Sequence, residues 1–322
     1  MPLTIECAIY AVLIGFAVCV LLCPIFIPYL TKLKFGQTVR DDGPQSHLKK
    51  AGTPTMGGIV IVLSFLVGAA FFLSGNFDGV VVALVTLGYG IIGFLDDYIK
   101  VVKKRSMGLR AWQKLLGQII VTGFFAYYIY MVSDVGTSIY IPFTNGYYLD
   151  LGLLYPFFLF FVMVSTVNGV NLTDGLDGLA SGVTVLVATF FLLLAFGMGS
   201  GTMPVIGAAV GSLLGFLLFN SYPARVFMGD TGSLALGGFI AAVAVLLRMP
   251  LMIVIVGIVY VLEDLSVVLQ VGYFKLTKGK RLFKMAPLHH HFEQCGWSET
   301  KVVTLFYVTT AIACLLGYLA VR

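Results

Sequence analysis

The sequence has very little charge. Only 11% of its 322 residues are Asp, Glu, Lys or Arg, whereas 59% are hydrophobic. An ordinary soluble domain carries charge on about a quarter of its residues, because charged side chains coat its surface. This shortage excludes a soluble domain and indicates a polytopic membrane protein.

Cysteine is also scarce, and its placement excludes two kinds of site. All of the 5 cysteines except Cys295 lie inside apolar runs, and no two of them form a Cys-x-x-Cys motif. Neither a disulfide framework nor a zinc site is supported. The formal net charge of +5 does not indicate a nucleic-acid partner, because the basic residues are placed as in membrane proteins of fixed orientation.

The N-terminus lacks the features of a cleaved signal peptide. The first apolar run is too long for a signal-peptide core, and it has neither a basic start nor an Ala-x-Ala site. We therefore expect this run to be a true span that is retained in the mature protein.

Long apolar runs predict an all-α membrane protein with ten transmembrane helices, forming one integral-membrane domain over residues 1–322. A run of about 17–25 apolar residues is long enough to cross a bilayer as a helix. The predicted spans are Ile5–Leu30, Met56–Ser74, Val80–Tyr98, Leu115–Val132, Leu153–Val167, Leu179–Met198, Val205–Phe219, Ser233–Leu247, Leu251–Tyr273 and Val302–Ala320.

The basic residues predict the orientation of these spans. All of the 20 lysines and arginines except Arg248 and Arg322 lie in loops that follow odd-numbered spans. The positive-inside rule places such loops in the cytoplasm and both termini outside. On the outer side, Asn145-Gly146 between two short β-prone stretches predicts a small hairpin. The loop 275–301 is the largest predicted cytoplasmic element, and we expect a short helix in it.

The densest polar stretch runs from Asn168 to Asp177, between predicted spans five and six. Asn168, Asn171, Asp174 and Asp177 recur at steps of three, so a helical or near-helical turn would place them on one face. A carboxylate near hydrocarbon costs about 2.5–3.5 kcal/mol at a helix centre. This cost favours a functional site over the structural alternative, a polar turn between helices.

Further polar residues stand at the same predicted boundary. Asp96 and Asp97 stand at the end of span three, and Asp230 stands in the segment between spans seven and eight. His289, His290 and His291 follow span nine. In the predicted topology all of them face the cytoplasm among the basic loops. Carboxylates and cations together point to a site for a polyanion and a hard cation.

Each of these groups has a structural alternative. Adjacent Asp96 and Asp97 point about 100° apart on a helix, so one of them could simply cap or solvate the span end. Asp230 stands among glycines before a helix, where an N-cap aspartate is common.

The histidines and two further acids complete the set of polar residues. The three histidines suit phosphate contact or proton transfer better than Mg²⁺, which prefers oxygen ligands; an interfacial loop or a transition-metal site is the alternative. For Glu263 and Asp264, inside span nine, we expect a paired structural role or a helix break.

A cytoplasmic carboxylate cluster with Mg²⁺ would hold a nucleotide diphosphate and neutralise its leaving group. Nearby lysines and arginines would position the phosphates, and the second substrate could enter sideways from the lipid. The residues therefore favour phosphoryl transfer to a lipid acceptor.

The whole chain resembles the phospho-N-acetylmuramoyl-pentapeptide transferases of bacterial peptidoglycan synthesis, within the polyprenyl-phosphate N-acetylhexosamine-1-phosphate transferase superfamily. The motifs that carry the resemblance lie at residues 47–58, 93–97, 109–114, 171–180, 223–233 and 286–293. The resemblance implies transfer of phospho-N-acetylmuramoyl-pentapeptide from its UDP derivative to undecaprenyl phosphate, giving lipid I and UMP. It also implies Mg²⁺ dependence, a homodimer, and a bacterial inner-membrane location with the active site facing the cytoplasm.

The resemblance also implies roles for individual residues. Asp230 would be the main Mg²⁺ ligand, with Asn171 as a second. Asp96 would be the base for the lipid phosphate, supported by Asp97. Lys114 would bind phosphate, and Lys50, Asp177, Asn220 and Phe227 would line a uridine pocket. Asp174, His289, His290 and His291 would meet the sugar–phosphate side, Asp174 and His289 as catalytic residues and the other two as substrate-binding residues.

Two other functions stay open at this point. A polyprenyl-phosphate N-acetylglucosamine-1-phosphate transferase would share the Asp-Asp and Asn-rich motifs. The run Ala286-Pro-Leu-His-His-His-Phe-Glu293 and Asp174 favour the muramoyl substrate instead. A transporter is the remote alternative, because transporters place their acids near the midplane, often in inverted repeats, and neither feature is visible here.

Overall fold

The computed structural model describes residues 5–32, 52–101, 103 and 108–321. This part of the chain is mainly helical, with one small sheet. Its helices are α1 (Ile5–Lys32), α2 (Gly58–Ala70), α3 (Phe77–Val101), α4 (Ala111–Met131), α5 (Tyr155–Thr173), α6 (Leu179–Gly197), α7 (Met203–Asn220), α8 (Gly229–Leu246), α9 (Met252–Val256), α10 (Ile258–Leu276), α11 (Leu288–Gln294) and α12 (Glu299–Ala320). Its strands are β1 (Ser138–Tyr140) and β2 (Tyr148–Asp150).

Eight helices in the described residues are long and apolar enough to cross a membrane: α1, α3, α4, α5 with the preceding turn from Gly152, α6, α7, α8 and α12. The chain is therefore a multi-pass membrane protein, as its composition predicts. The second and ninth predicted spans fall on α2, which has 13 residues, and on α9 and α10. The count of ten spans stays a prediction.

α2 begins two residues after the predicted start of the second span, because the chain before it is engaged elsewhere, and it ends at Ala70, four residues before the predicted end at Ser74. The backbone amides of Gly57 and Gly58 donate to the carbonyls of Phe227 and Met228, each at 2.8 Å, and the Phe227 amide donates to the Pro54 carbonyl at 2.8 Å. These extended contacts remove residues 54–57 from the helix. They also attach the start of α2 to the start of α8.

Other boundaries also differ from the prediction. The ninth apolar run is broken at Gly257, so α9 and α10 are separate helices. The fifth helix continues six residues past Val167 to Thr173, and the eighth begins at Gly229, four residues before Ser233. Both extensions carry polar residues, which hydropathy alone assigns to loops. Asn171 and Asp230 consequently lie on helices.

The core lies around α7 and α8, which are buried along nearly their whole length. α8 packs against α2, α3 and α5, while α7 packs against α1, α2 and α6. In contrast, α1, α4 and α12 bury only a narrow stripe and expose large apolar side chains. Exposed apolar faces on long peripheral helices are what contact with lipid requires.

The predicted hairpin and the predicted short helix are both confirmed. β1 and β2 pair antiparallel, with Ile139 opposite Leu149. Asn145 and Gly146 have φ angles of 52° and 93° in the connecting loop, the left-handed conformations that an Asn-Gly turn favours. α11 is the short helix in the loop 275–301.

Candidate active site

Three aspartates from two helices meet where α3 ends and α8 begins. Asp96 and Asp97 lie near the end of α3, and Asp230 is the second residue of α8. One carboxylate oxygen from each lies within 4.8 Å of the other two. The two helices cross closely here: a Cβ on Gly93 would lie only 2.0 Å from the Asp230 carbonyl oxygen, so the crossing requires a glycine.

Two lysines bridge Asp96 and Asp230. Lys100 Nζ lies 2.5 Å from Asp96 Oδ2 and 2.9 Å from Asp230 Oδ2. Lys114 Nζ lies 2.5 Å from Asp230 Oδ2 and 3.3 Å from Asp96 Oδ2. Both ammonium groups remain partly exposed. Sequence analysis singled out Lys114 but not Lys100, although its i, i+4 spacing from Asp96 was a usable signal.

Asp97 is occupied by the first turn of α8. Its Oδ1 accepts the Asp230 amide at 3.1 Å, and its Oδ2 accepts the Thr231 amide at 2.8 Å and the Thr231 hydroxyl at 2.6 Å. The N-cap position of α8 is Met228, which makes no side-chain cap. Asp97 therefore does from α3 what an N-cap residue does locally, and it fixes Asp230 in place.

We expect Asp97→Asn to destabilise the protein by about 1–3 kcal/mol, the cost of leaving a buried donor unsatisfied. All three groups that contact the Asp97 carboxylate donate hydrogen bonds to it. The amide nitrogen of an asparagine would therefore face a donor whether it replaced Oδ1 or Oδ2. Thermal unfolding in detergent micelles measures the effect. Asp78→Asn is the matched control, because Asp78 lies at the other end of α3 and accepts the Tyr128 hydroxyl. Equal melting temperatures for the two variants would contradict the capping role.

The four polar residues spaced by three do not share one face, so that prediction is wrong. α5 ends at Thr173, and Asp174 is its C-cap with ψ of 50°. Asn168 donates to the Val164 carbonyl at 2.8 Å and to Gln118 Oε1 at 3.4 Å. Asn171 makes a direct hydrogen bond to the aspartate cluster.

Asn171 contacts the cluster as a donor. Its Nδ2 donates to Asp230 Oδ1 at 3.0 Å and to the Ser233 hydroxyl at 2.8 Å. Asp230 is thus held by an amide on one oxygen and by two ammonium groups on the other. These contacts orient the carboxylate before any ligand is bound.

Residues 174–178, here called the 174–178 loop, connect α5 to α6 beside the cluster. The half-buried Asp174 carboxyl has its pKa raised to about 8 by loss of solvent and by the neighbouring Asp230 and Asp97 carboxylates. The Asp177 amide donates to Glu299 Oε1 at 2.7 Å, and Asp177 Oδ2 accepts the Ala224 amide at 2.9 Å. The loop is therefore tied both to α12 and to the turn before α8.

Asn220 and Phe227 border the same turn, residues 221–228. Asn220 is 2% exposed; its Oδ1 accepts the Ser181 hydroxyl at 2.6 Å and its Nδ2 donates to the Val226 carbonyl at 3.0 Å. These bonds hold the turn. Phe227 is half-buried next to Asp230. Lys50 lies outside the described residues.

The three histidines of α11 point to different partners. His289 is buried and bonded to Glu263, with 2.9 Å between Nδ1 and Oε2. His290 Nδ1 lies 2.9 Å from Glu293 Oε2, and His291 Nδ1 accepts the Lys284 amide at 3.1 Å. Glu263 therefore pairs with His289, and the helix break expected near Glu263 and Asp264 lies upstream at Gly257.

The sequence did not reveal the residues of α12 that bind the 174–178 loop. Besides Glu299, the Tyr307 hydroxyl donates to the Gly178 carbonyl at 2.6 Å. Both residues belong to α12, more than 100 residues away in the chain. A lone Glu or Tyr at a helix start or on an apolar helix carries no signal of such a contact.

The aspartate cluster has the chemistry of a hard-metal site. Its donors are carboxylate oxygens, which Mg²⁺ and Ca²⁺ prefer to nitrogen or sulfur. Asp230, partly exposed and at the positive end of α8, is the most accessible of the three. A cation bound at Asp96 and Asp230 would neutralise their negative charge, as Lys100 and Lys114 do in its absence.

Comparison with known proteins agrees with this chemistry. The family model for glycosyl transferase family 4 matches residues 79–248, which include the whole aspartate cluster and its lysines. The phospho-N-acetylmuramoyl-pentapeptide-transferase signature 1 matches residues 50–62. The fold and the site thus define a multi-pass membrane glycosyl transferase of family 4.

Similarity over the full length narrows the class. Three proteins named phospho-N-acetylmuramoyl-pentapeptide-transferase are similar to this chain. That of Clostridium kluyveri (strain ATCC 8527) is 53% identical over 97% of this chain and 98% of its own. Those of Clostridioides difficile (strain 630) and Clostridium perfringens (strain 13) are 52% and 51% identical, over 97% and 96% of this chain and 97% of each relative. The chain belongs to the phospho-N-acetylmuramoyl-pentapeptide transferase family.

Proposed function

We propose that the protein transfers phospho-N-acetylmuramoyl-pentapeptide from UDP-N-acetylmuramoyl-pentapeptide to undecaprenyl phosphate in peptidoglycan biosynthesis. The products are lipid I and UMP. The observation that carries the proposal is the cluster of Asp96, Asp97 and Asp230 with two bridging lysines at the ends of membrane helices. Oxygen ligands and ammonium groups together are what a diphosphate and its metal ion require.

The reaction exchanges one P–O bond for another. An oxygen of the lipid phosphate forms a bond to the β-phosphorus of the nucleotide sugar, and the bond from that phosphorus to the bridging oxygen breaks. UMP leaves with the bridging oxygen. We favour this direct attack over a covalent aspartyl-phosphate, because adjacent Asp96 and Asp97 can assist it without a second nucleophilic step.

Mg²⁺ bound by Asp230 would neutralise the developing charge on the leaving group. Asn171 would complete the ligand set through its amide oxygen. Lys100 and Lys114 would turn from the carboxylates to the substrate phosphates, with their partly exposed ammonium groups already at the cluster. Asp96 would act as the base for the lipid phosphate, and Asp97 would hold α8.

The nucleotide would lie beside the cluster, between the 174–178 loop and the turn 221–228. Half-buried Phe227 would stack on the uracil, with Asn220, Asp177 and Lys50 around the uridine. Asp174 and the α11 histidines would border the sugar–phosphate side. Asn220 and Asp177 already order the backbone of this region, so they would shape the pocket as well as line it.

The membrane arrangement is part of the proposal. With ten spans and both termini outside, the cluster would lie at the cytoplasmic face of the bacterial inner membrane. Undecaprenyl phosphate would then reach it from the bilayer and the nucleotide sugar from the cytoplasm. The single domain over 1–322 and the homodimer stay predictions.

UMP release by the protein in sealed vesicles tests both the reaction and the orientation. The nucleotide sugar does not cross a bilayer, so vesicles with the cytoplasmic face outward should release UMP and vesicles of the opposite orientation should not. Undecaprenyl phosphate, Mg²⁺ and UDP-N-acetylmuramoyl-pentapeptide should all be required. Opening the second type of vesicle with detergent should restore its activity.

The controls separate the alternatives. Release with UDP-N-acetylglucosamine in place of the muramoyl nucleotide would assign the protein to the N-acetylglucosamine-1-phosphate transferases. Trapping of a phosphorylated aspartate with the nucleotide sugar alone would contradict direct attack. No release from either donor by folded protein would contradict the transferase function and favour the transporter.

A further inference from the structure

Glu263 and His289 form a fully buried pair between α10 and α11. Glu263 is 0% exposed and His289 is 1% exposed. Glu263 Oε2 accepts His289 Nδ1–H at 2.9 Å, and Glu263 Oε1 accepts the His289 backbone amide at 3.2 Å. One carboxylate therefore holds both the main chain and the ring of the same residue.

This arrangement determines which ring nitrogen carries the proton. Because a carboxylate only accepts hydrogen bonds, Nδ1, the ring nitrogen that faces it, carries a proton. In a neutral imidazole this is the Nδ1–H tautomer, in which Nε2 has the lone pair. Among the described residues, Nε2 is buried without a hydrogen-bond partner, so the hydrogen bond that the structure gives the ring is the one to Glu263.

The unpartnered edge of the ring lies against the 174–178 loop. A Cβ on Gly175 would lie 2.1 Å from His289 Nε2, a distance that no real side chain tolerates. The ring thus packs directly on the backbone between Asp174 and Asp177. Through those two residues, the loop reaches the aspartate cluster and the turn before α8.

We propose that Glu263 is a positioning residue, which fixes the tautomer and place of His289 and, through the ring, the place of the 174–178 loop. The proposal rests on the proposed function, because the loop borders the nucleotide-sugar site. His289 is closed off by Gly175, so its role is to support the loop rather than to touch the lipid phosphate. Glu263 and His289 serve the nucleotide substrate and not the lipid.

The tautomer can be measured directly in the wild-type protein. The chain has 4 histidines, so long-range ¹H–¹⁵N spectra of histidine-labelled protein in micelles are simple, and His289→Gln assigns the signal. In the wild type we expect the His289 ring to carry its proton on Nδ1. In Glu263→Gln we expect this tautomer to be lost, because the glutamine amide has an acceptor oxygen on one side only and cannot replace both carboxylate oxygens. An Nε2–H ring in the wild type would overturn the proposal.

Kinetics test the effect on the loop. We expect Glu263→Gln to raise the KM for UDP-N-acetylmuramoyl-pentapeptide by about 10–100-fold, since a misplacement of about 1 Å costs on the order of 10²-fold. The KM for undecaprenyl phosphate should change less than about threefold on the same reasoning, because the lipid does not use the loop. Asp264→Asn is the matched control on the same helix and should leave both KM values unchanged.

A second variant approaches the contact from the loop. Gly175→Ala keeps Glu263 and should produce the same selective rise in the KM for the nucleotide, because its Cβ displaces the ring or the loop. An equal rise in both KM values, or no rise in either variant, would overturn the proposal while leaving the reaction itself intact. Failure of the wild type to release UMP would instead count against the proposed function, and the spectra would still decide the tautomer.

Discussion

Replacing Asp230 by Asn is expected to lower kcat by about 10³-fold or more. The change removes several kcal/mol of charge stabilisation at the metal, and each 1.36 kcal/mol corresponds to a factor of ten. It also removes the charge that Lys100 and Lys114 share at 2.9 and 2.5 Å. UMP release at saturating substrates measures the effect, with a titration of Mg²⁺ to detect weaker metal binding.

Asp150→Asn is the control for this prediction. Asp150 is an exposed aspartate on β2, far from the cluster in the fold, and its replacement should leave kcat unchanged. A melting temperature of Asp230→Asn close to that of the wild type would show that the loss is chemical. Retention of a tenth or more of the wild-type kcat would refute the assignment of Asp230 as the main metal ligand.

Replacing Gly93 by Ala is expected to separate the two halves of the cluster. The new Cβ would lie 2.0 Å from the Asp230 carbonyl oxygen and 2.6 Å from the Thr231 amide nitrogen. Because both atoms are backbone, neither can rotate away, and α3 and α8 must move apart. Overpacking of a core costs about 1–3 kcal/mol and sometimes more. We therefore expect a lower melting temperature and little or no UMP release.

Gly123→Ala provides the matched comparison. Gly123 lies on α4 with nothing within 4 Å of its ideal Cβ position, and an alanine in a helix is favoured over glycine by about 0.5–1 kcal/mol. This variant should be as stable as the wild type or slightly more stable, and it should retain the wild-type activity. If Gly93→Ala behaved like Gly123→Ala, the close crossing of α3 and α8 could not be what holds Asp230 beside Asp96.

Much of the candidate site was visible in the sequence because its chemistry is costly in a membrane. Acids such as Asp96, Asp174 and Asp230 stand out wherever neighbouring residues are apolar. Their partners are less visible. Lys100 is one of many basic residues in the loops, and the sequence does not show that the Asp97 oxygens accept hydrogen bonds from the first turn of α8.

The sequence by itself determined the class of structure, because hydropathy, charge placement and turn chemistry are local properties. It predicted a multi-pass helical protein, the hairpin at Asn145 and a short helix in the loop 275–301. It missed the early start of α8, since hydropathy does not detect polar residues that continue a helix, and it missed the break at Gly257, since that glycine stands in a continuous apolar run.

Tertiary structure alone decided which residues meet and what each side chain does. The Gly93–Asp230 crossing, the Glu263–His289 pair and the Glu299–Asp177 contact each join segments distant in the chain. Such contacts depend on how helices pack, and packing is set by the shapes of both surfaces together. One sequence shows each surface separately, so the different contacts of Asp230, Asp97 and Glu263 could be found only in the fold.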